Sequence, residues 1–183
     1  MTPALILDRD GVINEDIDFL HRIEDCRFIH GIFDLARAFK TRSFALVIAT
    51  NQSGIGRGLF TEAEYQTLMT WMKARFAQEG APLDAVYHCP EHPTEGIGSY
   101  RRDSTWRKPQ PGMFLQAAVD LKLDLAKSWT IGDKPRDIEA GRAAGVGTLV
   151  LFDQTSKATT RSGDHWIVPD LASVLTLLEK PEG

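Results

Sequence analysis

The chain has 183 residues, 43% of them hydrophobic and 25% charged, which excludes disordered and collagen-like chains. Its formal net charge of −4 argues against a duplex-binding surface, which needs a basic excess, and no segment approaches the roughly 20 apolar residues of a membrane span. Two cysteines, Cys26 and Cys89, are too few for a disulfide scaffold and suit a reducing cytoplasm.

Ala4-Leu5-Ile6-Leu7 is an unbroken apolar run that ends in Asp8-Arg9-Asp10-Gly11. It reads as a buried strand delivering two carboxylates to a sheet edge, both on one side for as long as the chain stays extended. Gly11 allows the chain to turn without a Cβ clash. Residues 14–30 show no clean periodicity and read as a flap over the strand end. Ile32, Leu35, Ala36 and Phe39 then recur at helical spacing up to about Lys40. A second apolar run, Phe44 to Ala49, ends in Thr50-Asn51-Gln52-Ser53-Gly54 and passes into a glycine-rich loop containing Arg57. Thr61 and Glu64 form a capping-box pattern for a helix built on Tyr65, Leu68, Met69, Met72 and Phe76, which Gly80 and Pro82 stop.

Asp84 to Cys89 is a third strand, followed by a polar loop from Pro90 to Trp106 in which Arg101-Arg102 reads as a solvated pair. Pro111 suits the first position of a helix running through Leu121. Trp129 to Asp133 is a fourth strand, again ending in a carboxylate, and Gly145 closes the short helix after it. Val146 to Phe152 and His165 to Val168 are the fifth and sixth strands, and Asp170 caps a last helix using Leu171, Val174, Leu175 and Leu178. This alternation predicts one α/β domain, residues 1–183, with a Rossmann-like, doubly wound, mainly parallel sheet and helices on both faces. Ligands in such sheets bind beyond the carboxyl ends of the strands, where three of these runs place Asp8/Asp10, Thr50/Asn51 and Asp133.

Carboxylates clustered without soft ligands favour a hard divalent ion, most simply Mg²⁺. A divalent ion with a lysine is a common way to neutralise a transferring phosphoryl group, and an aspartate can act as the nucleophile. Asp8-Arg9-Asp10-Gly11-Val12-Ile13-Asn14, Thr50-Asn51-Gln52-Ser53-Gly54-Ile55, Arg107-Lys108-Pro109-Gln110-Pro111-Gly112-Met113 and Gly132-Asp133-Lys134 resemble the four motifs of haloacid-dehalogenase-like phosphatases. Their wording is most similar to the D-glycero-D-manno-heptose-1,7-bisphosphate 7-phosphatases, with histidinol-phosphate phosphatases as near relatives.

The resemblance implies a monomeric Mg²⁺-dependent phosphomonoesterase without a large cap domain. It would act on a small phosphorylated sugar, the heptose bisphosphate first, with histidinol phosphate or another small phosphoester as the alternative. It implies Asp8 as nucleophile and metal ligand, and Asp10 as general acid and base whose main-chain carbonyl also meets the metal. Thr50 and Lys108 would hold the phosphoryl group, Asp133 would complete the metal site and Asp137 would stand behind it. Asp16, Ile17, Asp18 and Phe19 in the flap, Asn51, Gln52 and Ser53, Arg107 and Lys134 fall at substrate-contacting positions. One departure stands out. The heptose enzymes usually carry a structural zinc on Cys-x-His and Cys-x-Cys, whereas here those positions read Cys89-Pro90-Glu91 and Ser104-Thr105-Trp106. A closed zinc site wants four sulfur or nitrogen ligands, so structural zinc is not expected, and His88 or His92 beside Cys89 offers only a makeshift set.

Overall fold

The computed structural model describes residues 1–179. Seven strands form one sheet in the order β3-β2-β1-β4-β5-β7-β6. They are β1 (Ala4–Leu7), β2 (Ala45–Asn51), β3 (Ala85–Cys89), β4 (Trp129–Gly132), β5 (Thr148–Phe152), β6 (Thr160–Ser162) and β7 (His165–Val168). Every neighbouring pair is parallel except β6 with β7. The helices are α1 (Ile32–Thr41), α2 (Ser53–Gly56), α3 (Glu62–Gln78), α4 (Gly112–Leu121), α5 (Pro135–Ala144) and α6 (Leu171–Glu179). The doubly wound, mainly parallel sheet expected from the sequence is therefore the one observed.

Alternation along the central strands divides the core. Leu5, Leu7, Leu46 and Ile48 face one layer with α1, α3 and α6. Ala4, Ile6, Val47 and Ala49 face the other, with α4 and α5. Strands covered on both faces carry no polar residue until they end, which is why β1 and most of β2 read as continuous apolar runs. Each large side chain fully buried in these layers, such as Phe39 or Phe76, contributes roughly 1.5–3 kcal/mol.

Local signals act where they were read. Thr61 and Glu64 make a complete capping box, and Asp170 accepts the Ser173 N–H at 2.7 Å. Three details differ. α4 begins at Gly112, one residue after Pro111. β5 begins at Thr148 rather than Val146, whose N–H is taken by the Gly141 carbonyl at the end of α5. The exposed segment Thr160–Ser162 forms β6 against β7, with no apolar residue to signal it.

Register then places the site. Leu7 pairs with Ile48 on one side and Ile131 on the other, so the residues just beyond these strands emerge together on the carboxyl edge. The chain leaves β1 toward β2 and β3, then returns across to β4 on β1's other flank. That reversal opens the crevice in which ligands of such sheets sit.

Candidate active site

Beyond Leu7 the main chain folds back on itself: the Arg9 carbonyl accepts the N–H groups of Val12, Ile13 and Asn14 at 3.3, 2.8 and 3.2 Å. Gly11 has φ 84°, and a Cβ there would fall 2.4 Å from Asp133 Oδ2, so only glycine fits. This turn gives the two acids different surroundings, although both line one cavity of about 200 Å³.

Asp8 Oδ1 accepts from Lys108 Nζ at 2.9 Å and from the Arg9 N–H at 2.8 Å. Its Oδ2 accepts no hydrogen bond among the described residues. Burial pushes the Asp8 carboxyl well above the usual range, with Lys108 opposing and Asp137 and Asp10 adding to the rise. Lys108 is itself buried, and its Nζ also reaches Asp137 Oδ1 at 2.6 Å and the Ala49 carbonyl at 2.7 Å. Burial disfavours its charge, but the carboxylates of Asp8 and Asp137 outweigh that and hold the ammonium above its ordinary range. Asn51 fixes the lysine from the end of β2. Its Oδ1 accepts the Lys108 N–H at 3.0 Å and its Nδ2 donates to the Lys108 carbonyl at 3.1 Å.

Asp10 is held differently. Arg9 Nη2 lies 2.9 Å from its carboxylate, Asn14 Nδ2 donates at 3.0 Å and Gln52 Nε2 at 2.9 Å. The same Gln52 amide donates to Thr50 Oγ1 at 2.9 Å, linking the ends of β1 and β2. Arg9 is wholly buried, also donates to the Leu20 carbonyl at 2.9 Å, and lies over the Tyr65 ring at 5.7 Å.

Asp133 follows β4 and Asp137 lies in the first turn of α5. Gly132 permits their approach, since a Cβ there would fall 2.1 Å from Asp137 Cβ. Carboxylate oxygens of Asp8, Asp133 and Asp137 lie within 4.8 Å of one another. Asp133 Oδ2 is paired with Lys134 Nζ at 2.8 Å, whereas its Oδ1 is buried without a partner among the described residues. Burial raises the Asp133 carboxyl against the opposing Lys134, and Asp137 and Asp16 add to the rise. Hard oxygen donors with one orphaned atom fit a hard divalent cation. The cluster thus unites Asp8 with Asp133 and adds Asp137, while the Asp10 side chain stays outside it.

Of the substrate positions, Asp16, Asp18, Phe19, Asn51, Gln52, Ser53 and Arg107 line the cavity. Ile17 is half exposed and is not in its wall. Lys134 is not in its wall either: with Asp133 it lines a neighbouring depression that shares Asp16 with the cavity. Two arginines that sequence reasoning passed over, Arg57 and Arg136, line the cavity beside Arg107. Burial lowers the Arg107 guanidinium's hold on its proton; Cys89 opposes this, and Arg136 and Arg57 add to it. Arg57 is paired with Glu95 at 2.5 Å and lies 5.4 Å from the Phe19 ring centre. A lone arginine in a glycine-rich loop or at a helix start carries no sequence signal of its own.

The loop before Arg107 has its own network. Cys89 Sγ lies 3.0 Å from Glu91 Oε2, and Arg102 Nη2 lies 2.5 Å from Glu91 Oε1. Arg102, read as half of a solvated pair, is therefore tied to the buried Glu91 carboxylate. His88 turns to Glu62 at 3.0 Å, and His92 Nδ1 accepts the Thr94 and Glu95 N–H groups. These side chains address separate partners, and no cluster joins them to Cys89 among the described residues.

A profile of the HAD-hydrolase-like family matches residues 105–174. The D-glycero-alpha-D-manno-heptose-1,7-bisphosphate 7-phosphatase of Burkholderia mallei is 46% identical over 178 residues, covering 97% of this chain and 94% of the relative. The D-glycero-beta-D-manno-heptose-1,7-bisphosphate 7-phosphatase of Escherichia coli K12 is 43% identical over 183 residues, covering 98% and 95%. The crystal structure of the D,D-heptose 1,7-bisphosphate phosphatase from B. bronchiseptica, complexed with magnesium and phosphate, superposes with a TM-score of 0.81 at 31% identity, covering 97% of this chain and 98% of that one. Four motif segments meeting at one sheet edge and this degree of likeness agree. The chain belongs to the D-glycero-D-manno-heptose-1,7-bisphosphate 7-phosphatase family of haloacid-dehalogenase-like phosphatases.

Proposed function

We propose that this protein, working as one domain and as a monomer, removes the 7-phosphate from D-glycero-D-manno-heptose 1,7-bisphosphate in a Mg²⁺-dependent reaction. The observation that carries the reading is a cavity with two cationic poles. Lys108 stands behind the cavity wall, its Nζ 2.9 Å from the wall residue Asp8, and Arg57, Arg107 and Arg136 line the same space. A monophosphate needs only the first pole, whereas a bisphosphate uses both.

In this reading Asp8 Oδ2 attacks the phosphorus, the bond to the sugar oxygen breaks, and Asp10 gives that oxygen its proton. Asp10 then takes a proton from the water that attacks the aspartyl-phosphate, so inorganic phosphate leaves and Asp8 is restored. Lys108 and Thr50 hold the phosphoryl oxygens. Asp8, Asp133 and the Asp10 carbonyl would hold the metal, with Asp137 behind them, and the ion supplies charge neutralisation at the transferring group. Gln52 keeps Thr50 and Asp10 in register, and Asn51 keeps Lys108 in place.

The test is a comparison of initial rates on both anomers of the heptose bisphosphate, on heptose 7-phosphate and on histidinol phosphate. The bisphosphate should exceed histidinol phosphate in kcat/KM by at least about tenfold, equivalent to 1.4 kcal/mol, and Asp8→Asn should abolish turnover of all four. Equal or faster hydrolysis of histidinol phosphate would overturn the substrate assignment.

A further inference from the structure

The loop between β3 and α4 carries Arg107, whose side chain makes one hydrogen bond among the described residues: Nη1 donates to the Glu91 carbonyl at 3.2 Å. That carbonyl belongs to a residue whose own side chain is gripped at both oxygens, by the Cys89 thiol at 3.0 Å and by Arg102 at 2.5 Å. Glu91 is 9% exposed, so its carboxylate has little water to fall back on and depends on these partners. Beside it lies an open space of about 580 Å³ bounded by Glu91, Arg102 and Trp106.

We propose that Glu91 and Arg102 are positioning residues that aim the Arg107 guanidinium into the substrate cavity, and that this carboxylate clasp fastens the loop where only one cysteine is present. The inference rests on the reading of Arg107 as part of the second phosphate pole. A carboxylate tied at both oxygens fixes its backbone as well as its side chain, and the fixed carbonyl gives Arg107 a single direction. Removing either partner leaves Lys108, Asp8 and Thr50 in place, because those are held by Ala49, Asn51 and Gln52. The clasp thus governs how the second phosphate is held and not the chemical step.

The experiment measures KM and kcat on the heptose bisphosphate and on an aryl phosphate for Arg107→Ala, Glu91→Ala, Glu91→Gln, Arg102→Ala and the Glu91→Ala/Arg107→Ala double variant, with a thermal melt for each. Glu91→Ala should raise KM for the bisphosphate about tenfold and Arg102→Ala by about threefold, with aryl phosphate kcat within about twofold of the parent. Glu91→Gln, which keeps an oxygen for Arg102, should fall between parent and alanine. In the Arg107→Ala background the Glu91→Ala effect should vanish, as a residue acting through Arg107 requires. Arg102 is mostly exposed, so Arg102→Ala decides the matter if Glu91→Ala does not fold. The proposal is overturned if Arg107→Ala raises KM while the Glu91 and Arg102 variants do not, or if the Glu91→Ala effect persists without Arg107. Should Arg107→Ala itself leave KM unchanged, the two-pole reading of the cavity fails first and the clasp's role falls with it.

Discussion

At the residue scale, the middle of the first motif carries more than its neighbours suggest. Arg9 lies between two acids in sequence and pairs with only one of them. Its side chain grips Asp10 while its N–H supports Asp8. A general acid must be held within reach of the leaving oxygen, and in the role proposed for Asp10 three donors, from Arg9, Asn14 and Gln52, would do that. Arg9 also holds the Leu20 carbonyl, so Asp10 and the flap share one anchor. Lysine keeps the charge but not the forked geometry. Arg9→Lys should therefore lower kcat on a sugar phosphate by about 10²-fold, within the usual span for general acid–base catalysis. An aryl phosphate, whose leaving group needs less protonation, should lose much less. Parallel losses on the two substrates in steady-state assays would remove Asp10 positioning as the cause.

At the element scale, the corner between β4 and α5 fixes the carboxylate cluster of Asp133 and Asp137. Gly132 ends the strand, Asp133 turns toward Asp8, and Asp137 returns one helical turn later with its Oδ2 accepting the Lys134 N–H at 3.0 Å. A methyl group at Gly132 has no room, because the nearest atom is the Asp137 Cβ and not the end of a flexible chain. Gly132→Ala should cost about 1–3 kcal/mol of stability, the usual range for overpacking, and should weaken Mg²⁺ binding. Urea denaturation and metal titration of the same preparation measure both.

The strands leading to this site were legible because double burial leaves an unmistakable apolar run, and each run stops where a residue of the candidate site begins. Asp8, Asp10, Thr50, Lys108 and Asp133 were read from such ends or from motif segments, and the fold brings them close together. Arg57 and Arg136 were not, because an arginine facing a cavity and an arginine facing water look alike in one dimension. The division of labour between Asn51 and Gln52 was also hidden. Both were read as substrate contacts, yet Asn51 commits both ends of its amide to Lys108, and Gln52 bridges Thr50 and Asp10. Such pairings depend on the β1–β2 register and the path of the later loop, which no local pattern encodes. β6 was missed for a related reason. Its three residues are exposed, and pairing with β7 rather than burial makes it a strand.

At the scale of the whole molecule, the two cysteines lie in opposite layers, Cys26 among the α1 and α3 side chains and Cys89 against α4. Burial pushes both thiols up to about 11, and at Cys89 the hydrogen bond to Glu91 adds to the rise. The folded state thus prefers the protonated thiol more than the unfolded state does. That preference contributes stability in full below the ordinary thiol value of 9.0 and loses it as pH climbs through about 11. Tm should fall as pH is raised from about 9 toward 11. A thiol reagent at pH 8 should label neither cysteine in the native protein and both in denaturant. Rapid native labelling would contradict the burial on which the shift depends.

The far end of the sheet has a consequence for how molecules meet in a crowded solution. A parallel sheet that stopped at β7 would offer a row of free main-chain groups flanked by Trp166 and Ile167, a template on which a stray chain could add itself. Here that row is already taken by Thr160–Ser162. The outermost strand is three residues long and polar, and Arg161 lies over the Trp166 ring at 5.1 Å. An incoming strand would find few groups to pair with and a positive charge in its path. The hairpin lies away from the cavity, and it blunts for strand addition the edge of the sheet opposite to β3.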